Sequence, residues 1–330
     1  MLRSETAAKP ERMAAALAGL RAYQEAERPP PSTPPEPVAE RLGAALRDYG
    51  GSGAPVVFIP SLINPPTVLD LGERSLLRWL AAAGHRPLLL DWGWDVEARR
   101  GLGVGGHVEE IAVPLIRTLG EPAALVGYCL GGTMALAAAA PATARAVATV
   151  AAPWSFSGFG DEARARLAGL WAQARPTADA LGLLPMEVLQ TAFWSLDPAR
   201  TVAKFEAFAA MEPGSPAARA FVALEDWAND GPPLPAAAAR EMFEDLFAAD
   251  LPGRGAWQVA GHAVDPTTLL CPLLNIVSTV DRIVPAATAA PAGERLDLAR
   301  GHVGMVVGGS AREALWQPLS DWLFRTAASC

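Results

Sequence analysis

The chain has 330 residues, 51% hydrophobic and 19% charged, which is enough apolar surface for one large domain or two modest ones and argues against a largely disordered polymer. Acidic residues outnumber basic ones 35 to 27, the net charge is −8, and no Lys/Arg run forms a phosphate-binding stripe, so nucleic-acid binding is not expected. Three scattered cysteines, Cys129, Cys271 and Cys330, are too few for a disulfide framework or a zinc site, so no metal is expected and the cytoplasm is the economical location.

Residues 1–28 have helical composition, and "AERPPPSTPPEPVAE" follows as a semi-rigid spacer. Together they read as an N-terminal segment, 1–45, in which the helix is a loosely tethered mobile tail, with docking as the alternative. Its apolar run "MAAALAGL", flanked by Arg12 and Arg21, is too short for a signal peptide. The longest apolar run, at 134–142, is Ala-rich and broken by Pro141, so no transmembrane segment is expected.

From residue 55 short apolar runs alternate with helical ones. "PVVFIP" (55–60), "RPLLLDW" (86–92), "AALVGY" (123–128), "RAVATVAAP" (145–153), "PLLNIVS" (272–278) and "ERLDLA" (294–299) read as buried strands bounded by Gly, Pro or charge. "ERSLLRWLAAAG" (73–84), "HVEEIAVPLIRTLG" (107–120) and "GGTMALAAAA" (131–140) read as the helices between them. The alternation predicts an α/β fold, a mostly parallel sheet with helices on both faces. It stops over 155–265, a stretch rich in Trp and Phe with helical segments such as "EMFEDLFAAD". That stretch reads as a largely helical cap inserted over the sheet's carboxyl edge, where ligand clefts form. The expected division is therefore a core of 46–154 and 266–330 interrupted by a cap of 155–265.

One turn carries a chemical signature. In "LVGYCLGG", Gly127 and Gly131 flank Cys129 between a strand and a small-residue helix, the spacing of a nucleophile elbow. Side-chain bulk two positions either side of the central residue would collide with the neighbouring strand or helix. The helix N-terminus behind the sulfur favours a thiolate. The alternative is a small cysteine buried in a core turn. An acid and a base follow in the order such sites use: Asp281 in "TVDRIVP" beyond one strand, and His302 in "ARGHVGMVVGG" beyond the next. The other histidines, His85, His107 and His262, are not at strand carboxyl ends. An oxyanion hole needs two backbone N–H groups. Leu130 supplies one, and Leu62 in "PSLINPP" supplies the second, with Ile63 as the near alternative.

These residues, with "PSLINPPTVLDL", "LLLDWGWD", "GYCLGG", "VDRIVP", "GHVGMVVGG" and "LEDWANDGPPLPAAAAREMFEDLF", resemble the polyhydroxyalkanoate synthases, most closely the short class that works with a separate partner subunit. The likeness runs from about 55 to 325 and implies an α/β-hydrolase fold in which Cys129 is acylated, His302 is the base and Asp281 orients it. It places Trp227 near the family's cap tryptophan and makes Ile63, Asn64, Arg282 and Trp227 candidates for the substrate cleft. Arg282 is a departure, since histidine commonly follows the acid in that family, and the proline-rich N-terminal segment is another.

The resemblance implies an acyltransferase that polymerises 3-hydroxyacyl-CoA with no cofactor, the coenzyme A thioester being the substrate. It also implies a homodimer, a synthase partner subunit and a cytoplasmic enzyme at the polymer granule surface. A cysteine suits that chemistry, because thioester exchange conserves the activation of the acyl group, whereas a serine ester would discard it. A thiolate is also the better nucleophile. His302 would activate Cys129 and then the attacking hydroxyl, Asp281 would fix its tautomer, and an apolar cap would exclude water. A cysteine hydrolase on the same scaffold, either an acyl-CoA thioesterase or an intracellular polyester depolymerase, is the nearer alternative. A non-catalytic granule-binding protein is the more distant one.

Overall fold

The computed structural model describes residues 5–7, 9–28 and 33–327. Cys330 and part of the proline run, 29–32, lie outside these residues. The chain divides into two compact units: the residues up to Thr33 with Glu187–Asp230, and Pro34–Met186 with Gly231 onward.

The larger unit is built on an eight-stranded sheet: β1 (Pro37–Arg41), β2 (Ala44–Asp48), β3 (Pro55–Ile59), β4 (Arg86–Asp91), β5 (Ala124–Tyr128), β6 (Ala146–Val150), β7 (Leu273–Ser278) and β8 (Glu294–Leu298). Their order is β1-β2-β4-β3-β5-β6-β7-β8. Only the pairings of β2 with β1 and β4 are antiparallel. Every residue of β3, β5, β6 and β7 is buried, which is why these strands are continuous apolar runs rather than alternating ones. Two helix pairs cover the sheet. A helix at Leu76–Ala82 meets one across 312–327 through Trp79 and Trp316, whose rings are 5.8 Å apart. A helix across 104–117 packs with the one at Leu130–Ala139.

All six strands expected from the sequence are present. The hairpin β1–β2 is an addition to them, and it corrects the 1–45 boundary, because the sheet begins at Pro37. Its residues, "PVAER" and "AALRD", include Ala, Glu, Asp and Arg, none of which favours a strand. What makes the hairpin is the turn, where Leu42 and Gly43 both have positive φ, at 48° and 77°, the requirement of a type I′ connection.

The stretch 155–265 is shared between the units instead of forming one inserted body. A helix at Asp161–Leu181 and one across 236–248 belong with the sheet and are held together by Trp171 stacked on Phe243 at 5.3 Å and 8°. Asp250 accepts hydrogen bonds from the N–H groups of Phe156 and Ser157, closing the chain where it leaves the core.

In the smaller unit, helices at Pro198–Ala209 and Pro216–Ala228 stack Phe208 on Phe221 at 4.3 Å. The N-terminal helix, Pro10–Glu25, is docked in this unit, not free. Arg12 makes an ion pair with Glu206 at 2.8 Å, Tyr23 donates to Asp226 at 2.6 Å, and Arg28 joins the same carboxylate at 3.1 Å. Among the described residues no helix is long and apolar enough to cross a membrane.

Candidate active site

Cys129 stands between β5 and the helix at Leu130–Ala139, at φ 57° and ψ −132°, a backbone conformation that is costly for any residue with a Cβ. Neighbouring elements impose it. The Cys129 N–H donates to Val150 O at 3.0 Å, which fixes the turn against β6. A Cβ on Gly127 would lie 2.3 Å from Gly131 O, and one on Gly131 would lie 2.0 Å from Ile59 O. Strand and helix therefore approach closely only with glycine at both positions.

The loop after β7 brings Asp281, and the loop after β8 brings His302. His302 Nδ1 lies 2.6 Å from Asp281 Oδ2, with both side chains almost completely buried. Asp281 Oδ1 accepts the N–H of Ile283 at 2.7 Å, so each carboxylate oxygen has a partner. With Nδ1 given to Asp281, the ring nitrogen left for the sulfur of Cys129 is Nε2. Burial alone lowers the imidazole's pKa. The electrostatic interaction with Cys129, and the hydrogen bond to and negative charge of Asp281, outweigh burial and raise it to about 10. The site thus favours a proton resting on the imidazole.

Two main-chain donors answer the expectation for an oxyanion hole, one adjoining Cys129 and one in the loop after β3. Leu130 is the first residue of the helix after Cys129, so its N–H has no helical acceptor. In the loop after β3, the Ile63 N–H donates to Ser61 Oγ at 3.2 Å, whereas the Leu62 N–H makes no hydrogen bond among the described residues. Of the two sequence alternatives, Leu62 is the one with a donor to spare.

The remaining candidates are more scattered. Ile63 and Asn64 are half-buried in that same loop, and Arg282 is exposed beside Asp281. Trp227 is buried on the helix Pro216–Ala228, in the smaller unit rather than the one that carries Cys129. The other histidines have separate employment. His85 pairs with Ser320 Oγ at 2.8 Å, His107 lies 2.7 Å from Gly103 O through Nδ1, and His262 is exposed. Sequence reasoning does not single out three hydroxyls: Ser61, Ser278 and Tyr128. Tyr128 adjoins Cys129 and Ser278 ends β7, positions that become informative only once the loops are placed.

Comparison with known proteins agrees with this architecture. The chain is 25% identical over 301 residues to the poly(3-hydroxyalkanoate) polymerase subunit PhaC of Haloarcula marismortui, covering 86% of this chain and 63% of that protein. It is 27% identical over 285 residues to the same-named subunit of Haloferax mediterranei, covering 81% of this chain and 58% of that protein. It is 27% identical over 289 residues to that of Allochromatium vinosum, covering 82% and 80%. The chain thus spans less than two thirds of the length of the two haloarchaeal relatives. No protein-family model matches it. Among solved structures, BpoC of Mycobacterium tuberculosis superposes with a TM-score of 0.53 at 19% identity, covering 89% of this chain and 98% of that one. A monoacylglycerol lipase of Paleococcus ferrophilus superposes with a TM-score of 0.51 at 15% identity, covering 86% and 99%. These likenesses establish the α/β-hydrolase fold.

Proposed function

Taking the chain as a relative of the poly(3-hydroxyalkanoate) polymerase subunits on an α/β-hydrolase scaffold, we propose that it is an acyltransferase that carries 3-hydroxyacyl groups from coenzyme A on Cys129 and joins them into polyester. The observation that carries the reading is a cysteine, not a serine, on the strained elbow, together with an imidazole that Asp281 holds at 2.6 Å and whose pKa responds to Cys129.

In the first half-reaction, the Cys129 sulfur attacks the thioester carbonyl. The oxyanion is received by the N–H groups of Leu130 and Leu62. Its collapse expels coenzyme A, which takes its proton from the His302 imidazolium, and leaves the acyl group on Cys129. In the second, neutral His302 removes the proton from the hydroxyl of another 3-hydroxyacyl unit as that oxygen attacks the acyl-cysteine. An ester forms, the sulfur leaves, and the proton stays on His302. Asp281 keeps Nδ1 protonated throughout, so that Nε2 faces the reacting groups. Because one thioester replaces another in the first step, the acyl group keeps its activation for the second. Ile63, Asn64 and Arg282 are part of this proposal as contributors to the substrate cleft. So are homodimerisation, a partner synthase subunit, and a cytoplasmic, granule-associated location, for which the support is likeness to the polymerase subunits.

The test is to incubate the protein with 3-hydroxybutyryl-CoA, follow released coenzyme A, and separate polymer from free acid. Polymer, together with a mass adduct on the intact chain that disappears in Cys129→Ala, is the expected result. Free acid as the sole product would establish a thioesterase instead, and absence of any adduct would remove the nucleophile.

A further inference from the structure

Two hydroxyls outside the three-residue cluster take hold of the loop that carries His302. Ser278, the last residue of β7, is 1% exposed; its Oγ accepts the N–H of Val280 at 3.3 Å and donates to the carbonyl of Arg300. On the other side, the Tyr128 hydroxyl donates to the carbonyl of His302 itself at 3.3 Å, and its ring lies 5.0 Å from the imidazole, tilted by 33°. The carbonyls of residues 300 and 302 are thus both tied down, one to the end of β7 and one to the residue next to Cys129.

The loop needs such ties. Between the end of β8 at Leu298 and the short helix at Gly304–Val307 it has no regular secondary structure, so the imidazole is aimed by main chain that no strand or helix constrains. Reactivity falls steeply when a catalytic group is misplaced, by as much as about 100-fold for about 1 Å. The Ser278 link has a second property. The same oxygen that donates to the base loop accepts from Val280, the residue before Asp281. One hydroxyl therefore couples the loop carrying the acid to the loop carrying the base. Tyr128 is suited to a permanent donor role, since burial, followed by the charges of Cys129 and Asp281, holds its phenol pKa well above the ordinary value and keeps it protonated.

We propose that Ser278 and Tyr128 are positioning residues, a pair of hydroxyls that clamp the His302 loop and set the aim of its imidazole at the sulfur of Cys129. Neither touches the reacting atoms. Their action goes through His302, so the proposal rests on the role given to that residue above.

The test uses the full chain carrying Ser278→Ala, Tyr128→Phe, both together, and Ser278→Thr, which keeps the hydroxyl. Two readouts are taken: kcat and KM for coenzyme A release from 3-hydroxybutyryl-CoA, and the pH profile of Cys129 alkylation by iodoacetamide. Each removal is expected to lower kcat by about tenfold with KM unchanged. It should also displace the alkylation profile from that of the wild type, while Ser278→Thr restores both. If Ser278→Ala does not fold, Tyr128→Phe alone decides, because its ring remains in place. A wild-type profile in the variants, with only thermal stability lost, overturns the clamp. Should the wild type form no acyl adduct, the proposed transfer fails, yet the alkylation profiles still decide whether the two hydroxyls aim His302.

Discussion

Asp281→Asn is the most informative single change to the site. The substitution keeps the side chain's shape, and the amide oxygen can still accept the Ile283 N–H that Oδ1 accepts at 2.7 Å. The amide NH₂ then takes the place of Oδ2, which lies 2.6 Å from His302 Nδ1 in a pair only 1% and 7% exposed. Two donors cannot face each other at that distance, so the imidazole must give up its Nδ1 proton and keep the remaining one on Nε2, where it can no longer act as a base toward the reacting groups. One hydrogen bond and one negative charge that hold His302 up at about 10 disappear together. Both groups are buried, so solvent screening does not soften the loss. Where an acid–imidazole pair of this kind has its tautomer reversed, the rate falls by roughly 10⁴, about 5 kcal/mol of transition-state stabilisation. The assay is the rate of Cys129 acylation by 3-hydroxybutyryl-CoA, read as the growth of the mass adduct, with urea unfolding as a control for folding. A variant that folds normally and keeps more than a tenth of the wild-type acylation rate would refute the assignment of Asp281.

Three further expectations rest on other parts of the molecule. Cys129→Ser should still accept an acyl group slowly from coenzyme A but lose polymer formation, because the resulting oxygen ester is a poor donor to a second hydroxyl; polymer made at the wild-type rate would contradict the argument for sulfur. His107 is buried against Trp92 at 5.7 Å, and its pKa is lowered to about 4, chiefly by burial. On acidification the unfolded chain binds that proton first, so stability is complete above about pH 6.5 and is lost as pH falls towards about 4. The loss amounts to about 3 kcal/mol at ~1.36 kcal/mol per pH unit, and urea titrations should show it missing from His107→Phe. The same substitution at two glycines should have opposite signs. Gly131→Ala puts a Cβ 2.0 Å from Ile59 O, with no flexible side chain to yield, and should cost about 3 kcal/mol or prevent folding. Gly169→Ala, in the helix Asp161–Leu181 with nothing within 4 Å, should stabilise by about 0.5–1 kcal/mol.

Much of the larger unit is legible in the sequence because parallel strands buried on both faces must be apolar throughout, and Gly, Pro or charge marks where each one stops. The elbow is legible for a related reason: two backbones in contact at Gly127 and Gly131 admit no side chain, and that demand appears directly as residue identity. The hairpin β1–β2 escapes such a reading because Ala, Glu, Asp and Arg carry little strand preference, and the deciding signal is the pair of positive φ angles at Leu42 and Gly43. Likewise, the N-terminal helix reads as a tail because its docking relies on single polar partners 194 and 203 residues away, Glu206 for Arg12 and Asp226 for Tyr23.

By itself the sequence determined the succession of strands β3 to β8, the glycine-flanked cysteine and the order of cysteine, acid and histidine, since each is imposed by local sterics or by burial of a short contiguous run. Only the tertiary structure decided that Nδ1 of His302 meets Asp281, that the Leu62 N–H is unoccupied while that of Ile63 is taken, and that Ser278 and Tyr128 grip the histidine loop. Those relations join residues as far as 174 positions apart, and in all of these hydrogen bonds but the His302–Asp281 pair one partner is a main-chain atom, common to every residue and therefore invisible in the order of side chains.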